Sequence, residues 1–138
     1  MPKSGFDSTT VFQDTTVRHM KVDDTFDDVQ LRIMITPDVR FGPGKANLLE
    51  GIKNTGSIAA AGRSMGMSYK RAWYLVDAMN SHFSLPLVVS VKGGTTGGGA
   101  TLTSLGEEIL SAYRTMQRLA EKAVGPELRR LRRKTSAQ

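Results

Sequence analysis

At 138 residues and 15.0 kDa, the chain has room for one modest domain with extended ends. Hydrophobic residues make up 39%, enough for a core, and no apolar run approaches the roughly 18 residues of a membrane span. The absence of cysteine excludes disulfides and thiolate metal sites, and the polar N-terminus lacks the apolar middle of a signal peptide; both fit a cytoplasmic protein with no membrane partner. The net charge of +6 is unevenly spread. Residues 1–30 set Lys3, Arg18 and Lys21 against six aspartates, a net −3, so the remainder holds +9. A concentrated positive charge favours a polyanionic partner through counterion release.

Residues 1–28, rich in Thr, Ser and Asp and without a sustained period, read as a disordered acidic arm. Asp23, Asp24, Asp27 and Asp28 form a solvated run rather than a metal site. Leu31 to Ile35 alternates enough to predict a short strand, and Phe41-Gly42-Pro43-Gly44 reads as loop. A first helix is expected over Lys45–Asn54, with Leu48, Leu49 and Ile52 on one face and Gly56 as its left-handed stop. Ser57 caps a short second helix whose inward residues are Ile58, Ala61 and Met65, and Gly62 allows close approach of a neighbour. Gly66 makes a tight turn. Ser68 then caps a third helix to about Phe83, with Ala72, Val76, Met79 and Phe83 at helical spacing.

Pro86 blocks continuation of that helix. Leu87 to Val91 and Ala100 to Leu102 are strand-like and flank Gly93-Gly94-Thr95-Thr96-Gly97-Gly98-Gly99, which predicts a hairpin. The last helix starts at Thr103 or Ser104, where Ser104 with Glu107 has the form of a capping box. Leu105, Ile109, Ala112, Met116, Leu119 and Ala123 recur at alternating spacings of four and three, a heptad-like seam. Gly125-Pro126 is expected to end or bend this helix, leaving a basic tail over residues 126–138 that contains the Arg129–Lys134 cluster. The folded domain is thus residues 29–125.

Helix, glycine turn, helix and hairpin in this order predict an α+β, mostly α fold. It is a winged helix-turn-helix with a short β-hairpin wing and a long C-terminal dimerisation helix. With Ala72 at the centre of the buried face, Lys70, Tyr74, Asp77 and Ser81 lie opposite it, with Arg71 beside them. The expected DNA-binding set is Ser57, Ser68, Tyr69, Lys70, Arg71 and Tyr74, plus Lys92, Gly93, Gly94, Thr95, Thr96, Gly97 and Gly98 of the wing. The expected dimer interface is Leu105, Ile109, Ala112, Met116, Leu119 and Ala123. The glycine tip is not a nucleotide-binding loop, because Ala100 and a strand follow it rather than Lys-Ser or Lys-Thr and a helix. Trp73 reads as packing. His19 and His82 lack metal-ligand spacing, and no catalytic constellation or cofactor site can be argued.

Residues 42–123 resemble the N-terminal DNA-binding domain of the ModE family, molybdate-responsive bacterial regulators related to LysR-type proteins. The resemblance rests on Gly44-Lys45-Ala46 with Leu48-Leu49, Thr55-Gly56-Ser57-Ile58, Met67-Ser68-Tyr69-Lys70-Arg71-Ala72-Trp73 and Pro86-Leu87-Val88. Gly93-Gly94, Gly97 to Ala100, and Leu102-Thr103 with Gly106 complete it. It implies a winged helix that dimerises through its long terminal helix and binds a two-part operator in double-stranded DNA. Full-length members of the family continue into molybdate-binding β-barrel domains. The sequence ends at Gln138, so molybdate as an effector has no residues to rest on. The alternatives are a non-enzymatic protein-interaction or assembly module, and direct molybdate binding by the wing or the Arg129–Lys134 tail.

Overall fold

The computed structural model describes residues 28–92 and 99–136. In chain order it contains β1 (Ile33–Thr36), β2 (Val39–Phe41), α1 (Pro43–Thr55), α2 (Ile58–Ser64), α3 (Tyr69–His82), β3 (Val88–Val91), β4 (Gly99–Leu102) and α4 (Ser104–Arg132). The expected acidic arm and the wing tip Gly93 to Gly98 lie outside the described residues, apart from Asp28. The helix-turn-helix order and the β3–β4 hairpin follow the sequence expectation.

Local chemistry accounts for the first three helices. Pro43 opens α1, where a missing N–H costs nothing, and Gly56 closes it with a φ of 72°. The Ser57 and Ser68 hydroxyls cap α2 and α3, accepting from the N–H groups of Ala60 and Arg71 at 3.0 Å each. Gly66, also at a φ of 72°, supplies the left-handed step that turns α2 into α3. The inward faces then close on one another: Leu48, Leu49, Ile52, Ala61, Ala72 and Met79 are fully buried. A β-carbon on Gly62 would stand 2.9 Å from that of Ala72, so the α2–α3 crossing depends on small residues.

The hairpin is antiparallel, with Val88 opposite Leu102 and Val91 opposite Gly99. Val88, Ala100 and Leu102 face the core. Asn80 fixes its approach: its Oδ1 accepts from the N–H groups of Leu87 (2.8 Å) and Val88 (3.1 Å), and its amide donates to the Val88 carbonyl (3.0 Å). Ala100 N–H donates to the Gly56 carbonyl at 2.9 Å, which joins the second strand to the end of α1.

Four expectations are corrected. Phe41 is not loop but the end of β2, and the short strand expected at Leu31–Ile35 forms over Ile33–Thr36 and pairs with β2. The tie that holds this first hairpin is long-range: Tyr113 of α4 donates to the Leu31 carbonyl at 2.7 Å and meets the Phe41 ring edge-on at 5.4 Å. The N-cap of α4 is Thr103, not Ser104. Thr103 Oγ1 accepts from Gly106 N–H at 3.0 Å while its hydroxyl donates to the Pro86 carbonyl at 2.7 Å, a partner Ser104 lacks. Glu107 instead pairs with Lys53 at 3.0 Å. Finally, α4 does not end at Gly125-Pro126 but runs on to Arg132, so most of the Arg129–Lys134 cluster is helical. Proline disfavours a helical residue before it partly through that residue's β-carbon, and Gly125 has none.

Candidate nucleic-acid interface

Helix α3 has two chemically distinct sides. Ala72, Val76 and Met79 are buried against α1 and α2, while Ser68, Tyr69, Lys70, Arg71, Tyr74, Asp77 and Ser81 are exposed. Five of the expected DNA-binding residues therefore cluster on the first two turns of one rigidly backed helix. Tyr69 and Tyr74 expose 60% and 63% of their surface, a large aromatic area for a helix to leave in water. The Arg71 guanidinium lies 5.7 Å from the Tyr74 ring centroid, within cation–π range, which orders a long side chain without neutralising it. Neither Lys70 nor Arg71 has an ion-pair partner among the described residues.

The remaining expected residues are placed differently. Ser57 is half-buried at the start of α2 and its oxygen is engaged as the cap, leaving only its O–H to donate. Lys92 is exposed just past β3. Trp73 packs against the core, as expected, with its ring edge-on to Tyr69 at 6.2 Å. Its indole N–H is buried without a hydrogen-bond partner among the described residues. Among the described residues no group of three or more His, Asp or Glu side chains is placed to hold a metal ion. No described helix is long and apolar enough to cross a membrane.

The six residues of the expected dimer seam divide along α4. Leu105 and Ile109 are half-buried against their own core, while Ala112, Met116, Leu119 and Ala123 are exposed, Leu119 by 62%. The face that packs inward is a neighbouring one: Gly106, Leu110, Tyr113 and Gln117. Arg114 clamps this inner half to α1, donating to Glu50 (3.0 Å from Nε) and Asn47 (2.9 Å).

Sequence reading missed a second group of cations beside α3. Arg32 before β1, Arg40 in β2 and Lys45 in the first turn of α1 line the same cleft as Arg71. Lys45 Nζ donates to the Arg40 carbonyl at 2.7 Å, and partial burial holds its pKa below the ordinary lysine value. The charge concentration outside residues 1–30 was visible in the sequence, but not which side chains would meet.

No family model matches the chain. It is similar to the molybdenum-pterin-binding protein MopB of Rhodobacter capsulatus, 49% identical over 74 residues, covering 54% of this chain and 27% of MopB. It is similar also to the DNA-binding transcriptional dual regulator ModE of Escherichia coli (strain K12), 31% identical over 96 residues, covering 70% of this chain and 37% of that protein. The chain thus spans well under half the length of these curated relatives. A looser likeness, TM-score 0.49 at 19% identity, covers 64% of this chain and 94% of a chain in the crystal structure of the CbnR_DBD–DNA complex.

Proposed function

Since this chain is a homologue, over half or more of its length, of the ModE and molybdenum-pterin-binding Mop proteins, we propose that it is a DNA-binding transcription regulator. It acts as a homodimer, with the first turns of α3 in the major groove and the wing on the phosphate backbone. Ser68, Tyr69, Lys70, Arg71 and Tyr74 read or grip DNA from the helix. Ser57 donates from the start of α2, and Lys92 with Gly93 to Gly98 approach phosphates from the hairpin. The genes it controls belong to molybdenum transport or use, as the names of its relatives suggest. It works in the cytoplasm and performs no catalysis.

The observation that carries this reading is the outer surface of α3: two cations without an ion-pair partner among the described residues and two exposed tyrosines, on a helix whose opposite side is fully buried. A merely solvated helix gains nothing from exposing two tyrosines, whereas groove binding uses aromatic hydroxyls and arginine or lysine together. The dimer rests on the outer half of α4. A lone helical extension with an apolar stripe is marginal in water and is stabilised by covering that stripe.

The test is selection of bound fragments from the protein's own genome, followed by titration of the recovered operator by fluorescence anisotropy at several salt concentrations. Engagement of about six to ten phosphates lowers affinity roughly 10³- to 10⁵-fold between 50 and 200 mM salt. Lys70→Ala and Arg71→Ala are each expected to weaken operator binding by about 1–3 kcal/mol, with an unchanged melting temperature. Wild-type affinity in both variants would remove α3 as the reading element.

A further inference from the structure

The cleft beside α3 has no role in the reading above, apart from Arg71 on its wall. It is open to solvent, has a volume of about 560 Å³, and is bordered by the β1–β2 hairpin, the opening of α1 and the flank of α3. Its charged lining is entirely cationic: Arg32, Arg40, Lys45 and Arg71. None of these has an ion-pair partner among the described residues. They come from separate segments of the chain, so the fold itself assembles the group. Bringing four like charges around one hollow works against the compact state, and that cost falls when an anion enters.

The details fit a small oxyanion. Lys45 is held at the rim by its bond to the Arg40 carbonyl, and the first turn of α1 contains no acidic residue that would compete. The backbone of Gly42 to Gly44 also lines the cleft, and a β-carbon at Gly44 would meet nothing within 4 Å, so the backbone at Gly44 is approachable, whereas Gly42 packs against the Arg32 side chain. Ile33, Phe41 and Leu75 supply apolar walls that reduce the competition from water.

We propose that this cleft binds a tetrahedral oxyanion through Arg32, Arg40, Lys45 and Arg71. Two sources share that chemistry: a backbone phosphate of DNA lying beside the bases read by α3, and a free inorganic oxyanion. Arg71 belongs to both α3's outer surface and the cleft wall, so an anion in the cleft also positions a side chain of the reading helix. The proposal stands apart from DNA binding, because the free-anion source does not require it.

The experiment uses the full chain and the exposed pair Arg32→Gln/Arg40→Gln, neither of which is among the residues assigned to the reading helix. Calorimetric titration with inorganic phosphate and with molybdate, without DNA and at low ionic strength, probes the free anion. Operator titration over a salt series probes the DNA phosphate. A free-anion site gives saturable binding by the wild type that weakens about tenfold or more in the double variant. A DNA phosphate site gives no free-anion binding, a log–log salt slope shallower by about 0.9 for each phosphate lost, and an equal affinity loss on specific and non-specific DNA. Variant and wild type that behave alike in both titrations overturn the proposal. If the wild type binds no DNA at all, the DNA reading falls, and the cleft is judged on the free-anion titration alone.

Discussion

Helices α3 and α4 both carry an apolar stripe at helical spacing, yet they end in different circumstances. In α3 the stripe of Ala72, Val76 and Met79 is covered within the chain, and Asn80 ties the end of the helix to β3. In α4 the inner half does the same through Leu110 and Tyr113, but beyond Gln117 no apolar side chain is buried, and Leu119, Val124 and Leu131 remain exposed. Over 29 residues α4 is about 43 Å long, far more than its own domain can cover. A periodic stripe establishes that a helix has a face to bury; it does not say against what. In α3 the answer is intramolecular, and the outer half of α4 leaves it to a second copy under the proposed function.

The sharpest way to break this comparison is to charge the outer stripe. Met116→Glu/Leu119→Glu is expected to convert a dimer to a monomer, at roughly 3–5 kcal/mol for each unpaired charge forced into an interface. Sedimentation at micromolar concentration reads the mass, and circular dichroism reads the retained fold. A wild-type mass that is already monomeric would leave the outer half of α4 uncovered and sink the dimer.

The inner half of α4 is tested by Gly106→Ala. A β-carbon there would stand 2.2 Å from the Leu87 carbonyl oxygen, so α4 or the hairpin must move. The expected cost is about 1–3 kcal/mol in chemical denaturation, appearing as lost stability rather than altered mass. For α3, Asn80→Ala leaves the N–H groups of the buried Leu87 and Val88 without their acceptor. About 1–3 kcal/mol is expected from denaturant midpoints, together with weakened DNA binding as the hairpin loses its anchor. The smallest effect is reserved for Lys53→Ala, which breaks the pair with Glu107 between two half-exposed side chains. No more than about 1 kcal/mol is expected, and a larger loss would mean that this bridge locks α1 to α4.

The elements legible in the sequence are those fixed by neighbours in the chain. Ser57 and Ser68 were identifiable as caps because a hydroxyl before a helical run has few other uses, and both cap as expected. The alternation at Leu31–Ile35 was enough to announce β1, but the three residues of β2 are too few to register as a period, and turn chemistry at Gly42-Pro43-Gly44 masked the strand ending at Phe41. Its anchor, the bond from Tyr113 to Leu31, spans 82 residues and leaves no local trace. Thr103 was weighed against Ser104 as a start of α4, and the distant Pro86 carbonyl decides between them. The same is true of the cationic cleft, whose members are scattered from Arg32 to Arg71.

By itself, then, the sequence determined helices α1 to α3, the turns between them and the β3–β4 hairpin, and which side of α3 faces outward. Spacing, capping and glycine placement act over a few bonds and are written in consecutive residues. Only the tertiary structure decided which stripe of α4 packs inward, how far that helix extends past Pro126, and that four cations from separate segments share one hollow. Those outcomes depend on contacts between residues far apart in the chain, whose distances are set by the packed core.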